Sequence, residues 1–150
     1  MSTGARPMAD ILQDFPINAT LDRVFRAVTT PAGLDAWWTK RSSGEPRAGA
    51  EYALWFGPEY DWRARVTRCV PDSEFELEMT RADGDWRGTR IGFRLTPRED
   101  GTWLRFHHTG WPGANEHYRI SSHCWAMYLR VLRRHLEHGE SVPYEQRLEV

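Results

Sequence analysis

Between Asp61 and Thr80 the chain reads DWRARVTRCVPDSEFELEMT. Trp62, Ala64 and Val66 alternate with Arg63, Arg65 and Thr67. After a Pro71-Asp72 turn, Phe75, Leu77 and Met79 alternate with Glu74, Glu76 and Glu78. A period of two in two runs joined by a tight turn marks paired antiparallel strands, each with one buried face. The polar residues add a second signal. One outer face is basic and the next acidic, and opposite charges across paired strands contribute roughly 0.2–1 kcal/mol each.

The same period extends in both directions. Upstream, Tyr52, Leu54 and Phe56 share a face and Gly57-Pro58 ends the run. Downstream, Ile91, Phe93 and Leu95 alternate with Arg90, Gly92 and Arg94. Leu104, Phe106 and His108 then alternate with Trp103, Arg105 and His107. Turns fall at residues 82–85 and 99–101, so five consecutive strands form a meander. The acidic row then lies between two arginine rows, as a solvated outer face or, alternatively, an anion-binding patch.

Before the meander, residues 9–17 alternate weakly, with Ile11, Phe15 and Ile17 apolar, as a first strand. Thr20 is placed to cap a helix through Leu21, Val24, Phe25 and Val28, and Pro31 opens a second short helix through Leu34, Trp37 and Trp38. Residues 41–49, rich in Ser, Gly and Pro, read as a loop. After the meander, Ile120, Trp125, Tyr128, Leu129, Leu132 and Leu136 recur at helical spacing, and Gly139 suits the helix C-terminus. Residues 1–8 read as a loose tail, and nothing marks the stretch from Pro143 onward.

The chain has 150 residues, 13% of them aromatic, and a net charge of −1. That length suits one domain over residues 1–150, with a core at about 9–139, large enough to fold without staples. The aromatic content excludes disorder. The balanced charge gives no pull toward nucleic acid or anionic membranes. No apolar run spans a bilayer and no signal segment opens the chain, so the expected location is cytoplasmic. Cys69 and Cys124 read as buried thiols in a reducing compartment, with a single pairing as the alternative. Six histidines show no metal-ligand spacing, and neither metal nor cofactor is expected.

One long helix must cover the apolar face of every strand. The expected fold is therefore α+β: a helix-grip fold, with a curved antiparallel sheet of about six strands wrapped around a long C-terminal helix and two short helices after the first strand. The run Ala19-Thr20-Leu21-Asp22-Arg23-Val24-Phe25, then Thr30-Pro31 and Trp37-Trp38, resembles the opening of the SRPBCC (START/Bet v-like) superfamily. More narrowly, it resembles the branch homologous to the activator of heat shock protein 90 ATPase. Gly110-Trp111 and the helix from Trp125 through Leu129 and Leu132 to Gly139 are similar to the same branch. The resemblance implies a hydrophobic small molecule, lipid-like or polyketide-like, held between sheet and helix. It also implies two other roles, a chaperone partner or cyclase/aromatase-type chemistry.

By parity and helical spacing, Trp62, Met79, Phe93, Trp125 and Tyr128 point inward, as cavity lining or as ordinary core. Trp37 lies with Trp38 near the expected pocket mouth. His108 is the polar exception on an apolar face: an anchor or acid/base group paired with Tyr128, or a core histidine bonded to the last helix. No catalytic residue is assigned. Residues 110–113 read as a connector or a gating loop. Trp55 and Trp103 point outward, and the chain is read as a monomer or homodimer.

Overall fold

The computed structural model describes residues 8–150, so most of the expected N-terminal tail lies outside the described residues. The elements are β1 (Ala9–Ile17), α1 (Leu21–Thr29), α2 (Pro31–Trp37), β2 (Arg41–Ser43), β3 (Glu51–Trp55), β4 (Asp61–Val70), β5 (Glu74–Arg81), β6 (Arg90–Arg98), β7 (Gly101–Trp111), α3 (Glu116–His138) and a C-terminal 3-10 helix (Tyr144–Glu149). The strands form one antiparallel sheet in the order β1-β7-β6-β5-β4-β3-β2. It curves around α3 without closing, as the alternation predicts.

The charge bands settle into ion pairs in the expected strand order. Glu78 meets Arg65 of β4 at 2.8 Å, and Glu74 meets Arg68 of β4 and Arg94 of β6, the latter at 3.4 Å. Glu76 meets Arg90 at 3.6 Å. Exposed pairs contribute at most about 1 kcal/mol each. Register itself is set by the apolar pattern, because a one-residue slip would turn the buried face of a strand to solvent.

Two short helices follow β1 through a shared cap. Thr30 Oγ1 donates to Arg26 O at 2.8 Å at the end of α1 and accepts from Gly33 N at 3.0 Å at the start of α2. A Cβ on Gly33 would stand 2.5 Å from Arg26 O, so only glycine lets α2 approach α1 this closely. Asn115 caps α3 by accepting from Tyr118 N at 2.9 Å, and Gly139 ends it at φ 67°. At 23 residues, α3 spans about 34 Å and crosses the concave face of the sheet.

Several expectations need correction. The sheet has seven strands because residues 41–43, read as loop, pair with β3 at Arg41–Trp55, Ser42–Leu54 and Ser43–Ala53. A three-residue polar edge strand has no alternation to detect. Gly110 and Trp111 belong to β7 and not to a gating loop, with Gly110 at φ 87° and Trp111 fully buried. Ile120, placed on the buried stripe of α3, is 54% exposed, and Ser121 is buried in its place. Trp55 and Trp103 are half-buried rather than exposed, and the Arg41 guanidinium lies 4.4 Å from the Trp55 ring centroid. Both cysteines are free and half-buried, so no disulfide forms.

Candidate functional site

The helix-facing side of the sheet is filled with aromatic rings. β4 supplies Trp62, β6 supplies Phe93, and β7 supplies Phe106, His108 and Trp111; α2 supplies Trp37 and its C-cap Trp38, and α3 supplies Trp125 and Tyr128. Trp125 is the hub. Its ring lies 4.6 Å from Phe106, 5.1 Å from Trp38 and 6.4 Å from Tyr128, centroid to centroid. Tilted and edge-to-face contacts at such distances contribute roughly 0.5–1.5 kcal/mol per pair beyond the area they bury.

Trp86 joins the cluster from the β5–β6 connection, stacked 5.9 Å from Trp125 and 4.9 Å from Trp62. The pattern of the sequence did not reveal it, because residues 82–85 read as a turn and the pattern resumes at Arg90. The available signal was a tryptophan directly after Asp83-Gly84-Asp85, an odd residue for a solvated turn. The backbone holds it there: Met79 N donates to Thr89 O at 2.9 Å and Gly88 N to Met79 O at 2.8 Å.

All seven predicted site residues lie on or beside this assembly. Trp37, Met79, Phe93, His108 and Trp125 are buried, while Trp62 and Tyr128 are half-buried. Trp37 is fixed by its indole, which donates to Ala27 O at 2.9 Å. The half-buried members mark the open end of the cluster. There Trp62 meets Phe56 at 5.2 Å and the exposed Tyr60 at 6.1 Å.

His108 is locked in one protonation state by its neighbours. The Trp125 indole N–H is only a donor, and it bonds His108 Nδ1 at 3.0 Å, so Nδ1 carries no proton. The Thr89 hydroxyl donates to Trp86 O. Its oxygen is therefore left to accept from His108 Nε2–H, at 2.8 Å. Burial, with smaller contributions from His107 and His117, pushes the imidazole pKa down to about 3. A neutral ring with both nitrogens engaged fits the core-histidine reading: it orients Trp125 and Thr89. Burial also raises the Tyr128 phenol well above its ordinary value, which keeps it neutral.

Surface grooves lie away from the ring cluster. A groove of about 530 Å³ runs between β1 and α3, with Phe15, Met127 and Leu129 on its floor and Gln13 and Arg130 at its rim. Among the described residues no group of three His, Cys, Asp or Glu side chains is placed to hold a metal ion. No helix among the described residues is long and apolar enough to cross a membrane.

Residues 18–137 match the family described as activator of Hsp90 ATPase homolog 1-like protein. A search of curated proteins finds no match. Among solved structures, the chain is similar to the Aha1 dimer from Colwellia psychrerythraea, with 28% identity, TM-score 0.80, and coverage of 89% of this chain and 100% of that one. It shares its fold with protein BH1534 from Bacillus halodurans, at 23% identity and TM-score 0.73, covering 88% of this chain and 99% of that chain. CalU16 from Micromonospora echinospora has the same fold, at 22% identity and TM-score 0.68, covering 97% of this chain and 94% of that chain.

Proposed function

We propose that this chain, which belongs to the activator of Hsp90 ATPase homolog 1-like family, binds a hydrophobic, flat small molecule between its sheet and α3. The observation that carries the reading is the run of aromatic rings from the exposed Tyr60, through half-buried Trp62 and Tyr128, to buried Trp125 and Phe106. The polar atoms inside are already spent, except the buried Trp111 Nε1, which has no partner among the described residues. His108, Thr89 and Trp37 bond one another or the protein backbone and Trp125 bonds His108, while the Trp86 indole donates to Ser121 Oγ at 3.3 Å. What the interior offers a guest is ring faces and edges and the free Trp111 N–H donor, which select largely apolar, planar molecules. Entry is through the half-buried end, where Trp62 and Tyr128 move aside, while Trp37, Met79, Phe93 and Trp125 form the walls and His108 steadies Trp125.

Native mass spectrometry of the protein purified from its own cells gives the mass of any bound molecule. Titration with 1-anilinonaphthalene-8-sulfonate measures affinity for a planar apolar probe. Trp62→Ala weakens probe binding about tenfold, the equivalent of one lost ring contact of ~1.4 kcal/mol. Trp103→Ala, on the outer face, leaves it unchanged. No bound mass, together with equal probe affinity in the two variants, rejects the reading.

A second reading, an interaction protein for a chaperone ATPase, is supported by the family description and by the similarity to the Colwellia Aha1 dimer over all of that chain. An unaltered chaperone ATPase rate in the presence of the protein disposes of it. Proton-transfer catalysis by His108 with Tyr128 is disfavoured by the neutral, fully bonded state of His108.

A further inference from the structure

The stretch after Gly139 is unmarked in the sequence, yet it contains a buried cation. Arg147 is 6% exposed. Its guanidinium donates only to backbone carbonyls: Nε to Val142 O at 3.0 Å, Nη1 to Thr39 O at 3.2 Å and Nη2 to Asp35 O at 2.8 Å. Among the described residues it has no carboxylate within ion-pair distance. Two of its acceptors lie at the end of α2, the helix that carries Trp37 into the ring cluster. Arg147 thus fastens the C-terminal 3-10 helix to the element next to the proposed site.

Tyr144, at the start of the same 3-10 helix, lies over the open end of the cluster. Its ring is 6.5 Å from Phe56, and the Arg147 guanidinium sits 5.6 Å from its centroid. The surroundings of the Tyr128 phenol include Tyr144, Cys124 and Arg147. Beyond these two residues the 3-10 helix itself has little hold, and after it Val150 packs part-buried against the core. Glu145, Gln146, Leu148 and Glu149 are exposed, and Glu145 adds only an ion pair of 3.5 Å with Lys40. At the root, Glu140 is pinned by Arg134 at 2.6 Å, so the segment has a fixed base and a detachable tip.

We propose that the C-terminal 3-10 helix is a gate over the open end of the ring cluster, latched by Arg147 to the end of α2. The proposal rests on the ligand-binding reading for its purpose. The latch chemistry suits reversible opening. Carbonyl acceptors exchange readily for water at a surface, whereas a buried carboxylate partner would leave an unpaired charge behind each time the gate opened. With the gate closed, Tyr144 lies against Phe56 and beside Tyr128. With it open, Tyr128 and the edge of Trp62 face solvent and a planar guest has a path inward.

The test uses the full chain with Arg147→Met, which keeps the apolar stem and removes the latch. Amide hydrogen exchange reports whether residues 143–150 are released. Thiol labelling reports access without any ligand: Cys124, next to Tyr128, is the reporter, and Cys69, whose thiol bonds Pro46 O on the far side, is the internal control. Release of the tip, with Cys124 labelled about tenfold faster and Cys69 unchanged, supports the gate. Stopped-flow mixing with 1-anilinonaphthalene-8-sulfonate then shows association and dissociation accelerated together, with Kd shifted far less. Tyr144→Ala, which keeps the guanidinium, moves the same rates in the same direction and carries the test should Arg147→Met fail to fold. An unreleased tip, or a released tip with unchanged Cys124 labelling, overturns the proposal. Faster labelling with no probe binding in any variant keeps the gate and rejects the ligand reading.

Discussion

The His107 imidazole lies across Gly92 and meets Glu76 Oε2 at 2.8 Å through its Nε2. The three residues belong to β7, β6 and β5 in adjacent register, so the ring bridges two strands by passing over the third. Glu76 also accepts from the Thr67 hydroxyl at 2.8 Å and so ties β4 to the same point. A Cβ on Gly92 would collide with His107 Cε1 and Nε2.

Gly92→Ala should therefore destabilise the protein by about 1–3 kcal/mol, the usual range for forcing a side chain from its packed position. Urea denaturation measures it. Because the sharpest contacts run through one ring, with the Phe75 carbonyl next at 3.1 Å, most of the cost should vanish in a His107→Ala background, and a double-mutant cycle isolates the coupling. Additive effects would place the strain elsewhere.

The buried His108 sets an acid limit on stability. In the unfolded chain its imidazole titrates near ~6.5, whereas in the fold burial holds it down to about 3. Below pH ~6.5 the unfolded state binds the extra proton, so stability is present above that pH and is lost as pH falls toward the folded value. The slope from this group approaches ~1.4 kcal/mol per pH unit. Melting temperatures measured from pH 7 to 4 should fall more steeply for the wild type than for His108→Gln. Parallel curves would contradict the neutral buried state.

The tautomer of His108 is open to a direct check. Nitrogen-15 shifts should show an acceptor-type Nδ1 and a protonated Nε2. Trp125→Phe removes the indole donor, leaves Nδ1 unsatisfied in an apolar site, and should cost about 1–3 kcal/mol beyond the lost ring area. A protonated Nδ1 in the wild type would sink the assignment.

Trp86 and Trp103 offer a contrast that their sequence positions conceal. Trp86 is 8% exposed among Trp62, His108, Trp111 and Trp125, so Trp86→Ala should cost ~3–5 kcal/mol. Trp103→Ala, on the outer face of β7, should cost markedly less. Thermal denaturation of the two variants decides the order, and similar losses would refute the partition of rings between faces.

What was legible in the sequence was whatever repeats locally. Alternation from Tyr52 to His108 shows the meander, and the Arg–Glu–Arg rows fix its neighbours, because cross-strand pairing is a regular relation between regular strands. Helix α3 shows through its period and its glycine cap. What escaped reading depends on single long-range contacts. Arg41–Ser43 joins the sheet only because β3 offers an edge, Trp86 enters the core only because Met79 holds the backbone around it, and Arg147 is buried only because the carbonyls of Asp35, Thr39 and Val142 receive it. His108 was visible as a polar residue on an apolar face, but its partners Thr89 and Trp125 come from a turn and a helix that no spacing rule links to it.

The pairing of β1 with β7 also has a consequence in time. Residues 9–17 are made well before their partners, Thr102 to Trp111. Loop closure over such a separation is slow relative to the hairpins of the meander. A ribosome-bound chain therefore carries β1, with its apolar Ile11, Leu12, Phe15 and Ile17, unpaired until β7 has emerged. β1 joins the sheet only then, and the interval before it is when the nascent protein most needs protection from aggregation.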